Sequence, residues 1–109
     1  MAQFDVYPNP EPGQKDKIPF FLDLQSNLLQ GLNTTVVAPL YDLELTGRPP
    51  MRGVSPVFEV EGRKVVMVTP ELAGVPVKRL PSKIGNLARE RNAIIAALDF
   101  VFTLSLIHI

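Results

Sequence analysis

The sequence contains no cysteine and a single histidine, His108, next to the end of the chain. The lack of cysteine excludes disulfide bonds and thiolate metal sites, and it is typical of a cytoplasmic protein. A catalytic or metal-bound imidazole must be held by packing and by a further polar group, which a chain terminus does not supply. The sequence therefore predicts no catalytic residue, no metal site and no cofactor.

An excess of charge of one sign is also lacking, because 11 basic residues balance 11 acidic ones. Non-specific nucleic-acid binding depends on clustered Lys and Arg, whereas the basic side chains between residues 63 and 83 are interleaved with apolar ones. We expect no direct contact with nucleic acid. If the protein acts in DNA metabolism, this composition favours an action through another protein.

No hydrophobic run is long enough to suggest a membrane span. The most apolar segment, residues 93–109, has Asp99 in its middle, and a span needs about 20 mainly apolar residues. The N-terminal residues do not show the basic and apolar pattern of a secretory signal. We expect one cytoplasmic domain over residues 1–109. Its 46% of hydrophobic residues suffice for a core and for a homodimer interface.

Period-two alternation and turn residues predict a mostly antiparallel β-domain. Strands are expected at residues 3–7, 20–24, 34–40, 57–60, 64–68 and 75–78, with further alternation at 41–45. In the first strand, Phe4 and Val6 are predicted to face the core while Asp5 and Tyr7 face solvent. Pro39 is expected at a strand end or a sheet edge, because it lacks a backbone donor.

The end of the chain changes to a helical period. Apolar side chains recur at three- and four-residue steps from Ile84 to Phe102, which indicates one amphipathic helix. Asn86 is the expected N-cap, because Gly85 disfavours an earlier start. A second stripe has small or polar side chains and is expected to face solvent or a partner. It consists of Asn92, Ala96, Asp99 and Thr103.

A polar corner follows the second predicted strand and is itself followed by two adjacent leucines. The corner consists of Gln25, Ser26 and Asn27, and the leucines are Leu28 and Leu29. Apolar side chains on a rigid corner can bury area in a partner at little entropic cost. The alternative is that one or both leucines simply cap the core.

Seven fragments, each weak alone, are specific in their order and spacing. They are QFDVY (3–7), FLDLQS (21–26), VAPL (37–40), PVFEV (56–60), MVT (67–69), LAGVPV (72–77) and RNAIIAAL (91–98). Through them the chain resembles the CcdB family of plasmid and chromosomal toxins, which kill or arrest cells by poisoning DNA gyrase.

The resemblance implies a mainly β fold: a five-stranded antiparallel sheet related to the SH3-like barrel, a small accessory sheet and one C-terminal helix. It also implies a homodimer and two partners. One is the DNA gyrase A subunit, on which such toxins trap the gyrase–DNA cleavage complex without covalent chemistry. The other is a CcdA-type antitoxin, which neutralises the toxin.

The same resemblance assigns a gyrase-binding face, position by position. Its predicted residues are Ser26, Leu28, Leu29, Asn92, Asp99 and Thr103. The first three belong to the corner, and the others lie on the exposed stripe of the helix. For the stripe residues the alternative is an ordinary solvated helix face.

The chain departs from the family pattern after Thr103. Family members usually end with an aromatic residue or Thr and then Gly-Ile, and that tip is central to poisoning. Here Leu104 replaces the glycine, and the chain continues to Ile109. A leucine side chain obstructs the close backbone approach that glycine permits. The alternative function is an interaction protein that still binds antitoxin but has lost or weakened gyrase poisoning.

A hypothesis from a different functional class is an endoribonuclease like MazF, a toxin that shares the SH3-like barrel. That mechanism needs a basic RNA groove and suitable acid–base groups. The balanced charge and the terminal position of the only histidine disfavour it.

Overall fold

The computed structural model describes residues 2–29, 31–47 and 54–104. Within these ranges the strands are β1 (Asp5–Pro8), β2 (Phe20–Asp23), β3 (Thr34–Asp42), β4 (Val57–Val60), β5 (Arg63–Met67), β6 (Ala73–Pro76) and β7 (Gly85–Asn86). The α-helices are α1 (Leu43–Thr46) and α2 (Arg91–Asp99), and a π-helical turn, Phe100–Leu104, continues α2.

The described strands form one antiparallel, barrel-like sheet in the order β4-β5-β3-β2-β1-β7. β6 pairs with residues 34–37 of β3, and β5 pairs with residues 40–42 on the same side. The predicted class, mainly β with one C-terminal helix, is confirmed. The number of strands differs, because the nine residues of β3 are long enough to pair with β5 and β6 in turn. In place of the expected small accessory sheet, β6 pairs with β3 as part of the same sheet.

One face of the sheet packs against α2. Val6, Leu22 and Ala38 lie side by side on β1, β2 and β3, and all are buried. Ile94 and Ala97 of α2 join the same cluster. The apolar stripe predicted on the helix therefore faces the core at Ile94, Ile95 and Leu98, whereas Phe102 at its end does not. Full burial of a side chain such as Leu22 stabilises the fold by about 1.5–3 kcal/mol.

The opposite face of β1 is not exposed as expected. Asp5 and Tyr7 are both buried, and they line a cleft together with Val77 and residues 80–83. Lys83 reaches Asp5 across this cleft, with Nζ 3.6 Å from Oδ1. The later segment thus covers the polar face of the strand. Alternation in the sequence separates the two faces of a strand but does not show what packs over each one.

The predicted position of Pro39 is also wrong, because it lies inside the central strand β3. Its partner on β2 is Phe21. The carbonyl of Pro39 accepts from the amide of Val68, at 3.2 Å, so its nitrogen faces the β5–β6 side of β3. That side has a gap between the residues paired with β6 and those paired with β5. The proline occupies the point in the ladder where no donor is needed.

The alternation at residues 41–45 predicts a strand throughout, but the chain turns into α1 at Leu43. Asp42 is the N-cap of this helix, and its Oδ1 accepts from the amide of Leu45 at 2.8 Å. Gly47 ends the helix in the left-handed conformation. A side chain that satisfies a free amide at the helix start stabilises it by about 1 kcal/mol, and this local capping outweighs the alternating pattern.

The C-terminal helix begins later than predicted. Gly85 and Asn86 pair with β1, and a single 3-10 turn, Ala88–Glu90, precedes α2. Asn86 is not the N-cap of either helix, because Leu87 precedes the turn and Glu90 precedes α2. Its Oδ1 does accept from the amide of Ala88 at 2.7 Å. Pairing with β1 therefore sets the later start of α2, at Arg91.

Candidate partner-binding surface

Residues 25–29, here called the leucine corner, form an exposed turn after β2. Asn27–Leu29 is a single 3-10 turn in which no residue is buried. Leu28 is 93% exposed and Leu29 is 50% exposed. Neither side chain caps the core, so the alternative left open by the sequence does not apply to this structure.

Hydrogen bonds fix the conformation of the leucine corner. Ser26 accepts twice: its Oγ from the amide of Leu28 at 3.1 Å, and its carbonyl from the amide of Leu29 at 2.9 Å. The side-chain amide of Gln25 donates to the carbonyls of Leu29 and Thr34, both at 3.2 Å. The corner is therefore a hydrogen-bonded frame that presents apolar side chains to solvent.

The base of the corner rests on a buried carboxylate. Oδ1 of Asp23 accepts from the hydroxyl of Thr35 at 2.8 Å and from the backbone amide of Gln25 at 3.0 Å. Burial raises the pKa of the Asp23 carboxyl above its ordinary value, the nearby Asp5 adds to the increase, and the hydrogen bonds from Thr35 and Gln25 oppose it. Asp23 thus connects the polar face of the sheet to the first residue of the corner.

The second predicted part of the surface, the stripe along the C-terminal helix, is exposed as expected. Its residues are Asn92, Ala96, Asp99 and Thr103. Ile94 and Ala97 on the other side of the helix are buried. Asn92 and Asp99 are seven positions apart, which corresponds to about 10 Å along the axis. The stripe therefore extends along the whole of α2.

The structure links the leucine corner to the start of this helix through one short segment, Gln3 and Phe4. The amide of Gln3 donates to Oδ1 of Asn27 at 2.7 Å. The carbonyl of Phe4 accepts from the amide of Leu87 at 2.8 Å, and the Arg91 guanidinium lies over the Phe4 ring, 5.9 Å from its centroid. The corner and the first residue of α2 therefore contact the same segment.

Sequence reasoning missed three further exposed apolar side chains near these elements. Leu32, Phe100 and Phe102 are 55%, 40% and 52% exposed. Leu32 lines a cleft of about 230 Å³ together with Leu29 and Val77. The exposure of Leu32 could have been predicted from its position next to Gly31 in a turn. Phe102 belongs to the predicted apolar stripe, so its exposure is unexpected. Its exposure follows from the π-helical turn, which changes the helical period.

Two features of the described residues concern chemistry: their metal-ligating side chains and the environment of Tyr7. Among them, no group of three or more His, Cys, Asp or Glu side chains could hold a metal ion. The most enclosed phenol, Tyr7, lies with its hydroxyl 3.4 Å from Oδ2 of Asp5. Burial, and then the neighbouring Asp5 and Asp23 charges, raise its pKa to about 12, so it stays neutral at pH 7. In the described ranges, no helix is both apolar enough and long enough to span a bilayer.

The comparison with known families agrees with this arrangement. A family model described as CcdB protein matches residues 3–103. The match includes the leucine corner and the whole helix stripe, while Leu104–Ile109 lies beyond it. The fold has the antiparallel barrel-like sheet and the C-terminal helix that the resemblance implied. With nearly all of its length matched, this chain belongs to the CcdB family of toxins.

Proposed function

We propose that this chain is the toxin of a type II toxin–antitoxin pair, that it binds the A subunit of DNA gyrase, and that it traps the gyrase–DNA cleavage complex. It acts as a homodimer in the cytoplasm, forms no covalent bond with its target, and is neutralised by a CcdA-type antitoxin. Membership in the CcdB family supports the toxin assignment. The exposed surface supports an action by protein–protein contact.

The observation that carries the proposal is the exposure of Leu28 on a hydrogen-bonded turn. A single exposed leucine is ordinary, but Leu29 and Leu32 are exposed next to it. Apolar side chains on a rigid frame bind a partner well, because little conformational entropy is lost on binding. We therefore assign Leu28 and Leu29 as anchors, with Ser26 shaping the turn between them and the sheet.

The helix stripe supplies the polar part of the proposed face. Asn92 and Asp99 are exposed, and such groups suit the rim of an interface, where hydrogen bonds fix orientation. Thr103 lies at the end of the stripe, where the family match also ends. The connection of both elements to Gln3 and Phe4 favours one face over two independent ones.

The second candidate function is antitoxin binding with lost or weakened poisoning. The observation that favours it is the residue after Thr103, which is leucine and not glycine. A side chain at this position hinders close approach of the backbone to gyrase. The leucine corner would be unaffected, since it belongs to a different segment of the chain.

The decisive experiment compares two versions of the protein in growing cells. One is the full chain, and the other has Gly-Ile directly after Thr103 as its end. Growth, gyrase-dependent DNA cleavage and integrity of cellular RNA are measured for both. The main proposal predicts growth arrest with cleaved DNA and intact RNA for the full chain. It also predicts rescue by a gyrase A variant that lacks the toxin contact.

Other outcomes separate the remaining readings. Arrest by the Gly-Ile version alone would establish the second candidate and would make the tail an inactivating change. Arrest accompanied by RNA cleavage, without rescue by the gyrase variant, would overturn both and favour a ribonuclease. If neither version arrests growth or binds the gyrase A subunit, the gyrase assignment is wrong.

A further inference from the structure

The conformation of the leucine corner needs a physical cause other than packing. No residue of Asn27–Leu29 is buried, so the hydrophobic effect does not hold these side chains in place. The contacts that remain are hydrogen bonds, and several of them involve Gln25. An exposed turn of this kind keeps one conformation only if its polar contacts are themselves fixed to the sheet.

Gln25 makes that connection in two directions. Toward the turn, its side-chain amide donates to the carbonyls of Leu29 and Thr34 and so closes the loop between β2 and β3. Toward the sheet, its backbone amide donates to Oδ1 of Asp23 at 3.0 Å. The position of the corner is therefore determined by where the Asp23 carboxylate lies.

Asp23 is rigidly placed. It pairs with Val37 on β3, and its carbonyl accepts from the amide of Phe4 at 2.7 Å. Its side chain is 0% exposed. Oδ1 has two donors, whereas Oδ2 has no hydrogen-bond partner within the described part of the chain. A buried carboxylate with an unsatisfied oxygen is unfavourable for folding.

The unfavourable placement suggests a role other than stability. Asp5 and Tyr7, on the neighbouring strand, are the other titratable side chains facing Asp23, and neither is a cation. The positive amino terminus also acts on Asp23, but its effect is the smallest of the causes and burial is the largest. An asparagine at this position would accept the same two hydrogen bonds without a buried charge. A leucine of similar size would pack there with neither a charge nor an unsatisfied oxygen. Local features that oppose folding tend to occur at functional sites.

We infer that Asp23 is a positioning residue for partner binding, which acts through Gln25 to hold Leu28 and Leu29 in their presented conformation. The inference rests on the proposed function for the identity of the partner. The conformational part of it does not depend on any partner. Preorganisation of this kind strengthens binding because less freedom is lost when the partner docks.

The test uses three substitutions in the full chain. Asp23→Asn keeps an acceptor for Gln25, Asp23→Leu removes it, and Gln25→Ala removes the clamp on the turn while leaving the carboxylate. Thr35→Val is the matched control, because it removes the other donor to Oδ1 and leaves Gln25 in place. Gln25→Ala keeps the backbone amide that donates to Asp23 and removes only the side-chain bonds to Leu29 and Thr34, so it tests the clamp. If Asp23→Leu fails to fold, the smaller Asp23→Ala takes its place.

Two readouts are measured for each folded variant. The first is amide hydrogen exchange of Gln25, Leu28 and Leu29, with the β4–β5 hairpin as an internal reference. The second is affinity for a gyrase A fragment that contains the dimerisation domain. We expect Asp23→Asn to bind within about three-fold of the unchanged protein. Asp23→Leu and Gln25→Ala should bind at least ten-fold more weakly, with faster exchange in the corner but not in the hairpin.

A merely structural role would give a different pattern. It predicts faster exchange throughout the sheet and an affinity that follows stability, so that Thr35→Val would lose as much binding as Gln25→Ala. That pattern, or unchanged corner exchange in Gln25→Ala, would overturn the inference. If the unchanged protein does not bind the gyrase fragment, the proposed function fails, and the exchange data still decide whether Asp23 positions the corner.

Discussion

The backbone of Gln3 joins the two halves of the proposed binding face. Its amide donates to Oδ1 of Asn27 at 2.7 Å, and its carbonyl accepts from the side-chain amide of Asn86 at 3.2 Å. Asn27 belongs to the leucine corner, and Asn86 accepts from the amide of Ala88 in the turn that precedes α2. One residue of the N-terminal segment is therefore hydrogen-bonded both to the corner and to the segment just before the helix.

Replacement of Asn27 by alanine tests this connection. The lost hydrogen bond is exposed, so the free energy of unfolding should fall by no more than about 1.5 kcal/mol. Binding to the gyrase A subunit should fall by more than stability does, because the corner is no longer tied to Gln3. The affinity can be measured by calorimetry and the stability by urea unfolding.

The matched control is Asn33→Ala. Asn33 is also exposed and lies near the other end of the same loop, but its side chain makes no hydrogen bond within the part of the chain that the structure describes. The control should leave both quantities near those of the unchanged protein. Equal loss of binding in the two variants would contradict a specific role for Asn27.

Leu28 is the sharpest test of the proposed face. Leu28→Ala should change the free energy of unfolding by no more than about 0.5 kcal/mol, because the side chain is almost fully exposed. If Leu28 is a central anchor, its truncation should cost about 1.4 kcal/mol or more of binding, so affinity for gyrase A should fall at least about ten-fold. Growth arrest should weaken in parallel.

Leu45→Ala provides the comparison for Leu28. Leu45 is a leucine on α1, 64% exposed and outside the proposed face. It should therefore retain both binding and toxicity. Normal binding by Leu28→Ala, or an equal loss in both variants, would remove the leucine corner from the binding surface.

Local sequence patterns predicted the exposed corner, but the contacts of Asp23 at its base depend on the pairing of strands. Adjacent leucines after three polar residues indicated a presented turn, and Leu28 is indeed exposed. The partners of Asp23 could not be read in the same way, because Thr35 reaches it only through the pairing of β2 with β3. The burial of Asp5 likewise depends on a segment more than seventy residues later in the chain.

Pro39 and Asp42 show two further limits of pattern reading. A proline is compatible with a central strand where the neighbouring partner changes, and the change from β6 to β5 is a property of the whole sheet. Asp42 lies at an alternating position, yet its side chain caps α1 and pairs with Arg63. In both cases competing interactions that involve distant residues determine the local conformation.

The capping role of Asp42 leads to a prediction about stability. Its Oδ1 accepts from the amide of Leu45, and its Oδ2 accepts from Nε and Nη2 of Arg63 at 3.0 and 2.7 Å. Asp42→Ala should lower the free energy of unfolding by about 1–2 kcal/mol, mostly through the lost cap, because the partly exposed Arg63 is screened by solvent. Urea unfolding measures the change.

Glu44→Ala on the same short helix is the control for Asp42→Ala. Glu44 is exposed, and its removal should change the free energy of unfolding by no more than about 0.5 kcal/mol. Should the two variants lose the same amount, capping by Asp42 would not contribute measurably to the fold. Binding to gyrase A should be unaffected in both, since α1 lies outside the proposed face.

Asp23 and Asp42 should give opposite dependences of stability on pH. Burial raises the pKa of Asp23 above 3.8, helped by Asp5 and opposed by Thr35, Gln25 and the positive amino terminus. The hydrogen bond from the amide of Leu45, and then the contact with Arg63, lower the pKa of Asp42 below 3.8. A raised carboxyl pKa means that the folded state binds the proton more tightly than the unfolded state does.

The ionised form of Asp23 therefore destabilises the fold at neutral pH, and this cost is relieved as the pH falls through the raised pKa toward 3.8. Relative to the unchanged protein, Asp23→Asn should gain most at pH 7 and progressively less as the pH approaches 4. Asp42→Asn should instead lose free energy of unfolding at pH 7, and this loss should shrink at low pH. The reason is that the stability contributed by ionised Asp42 is present above pH 3.8 and is lost as the pH falls through the lowered pKa. Urea unfolding at a fixed protein concentration from about pH 2 to pH 7 gives both differences, and the one for Asp42→Asn should change below about pH 4, because the pKa of Asp42 is lowered. A pH-independent difference for Asp23→Asn would mean that the carboxylate is not held in a charge-disfavouring environment, and it would remove the energetic argument for a positioning role at the base of the leucine corner.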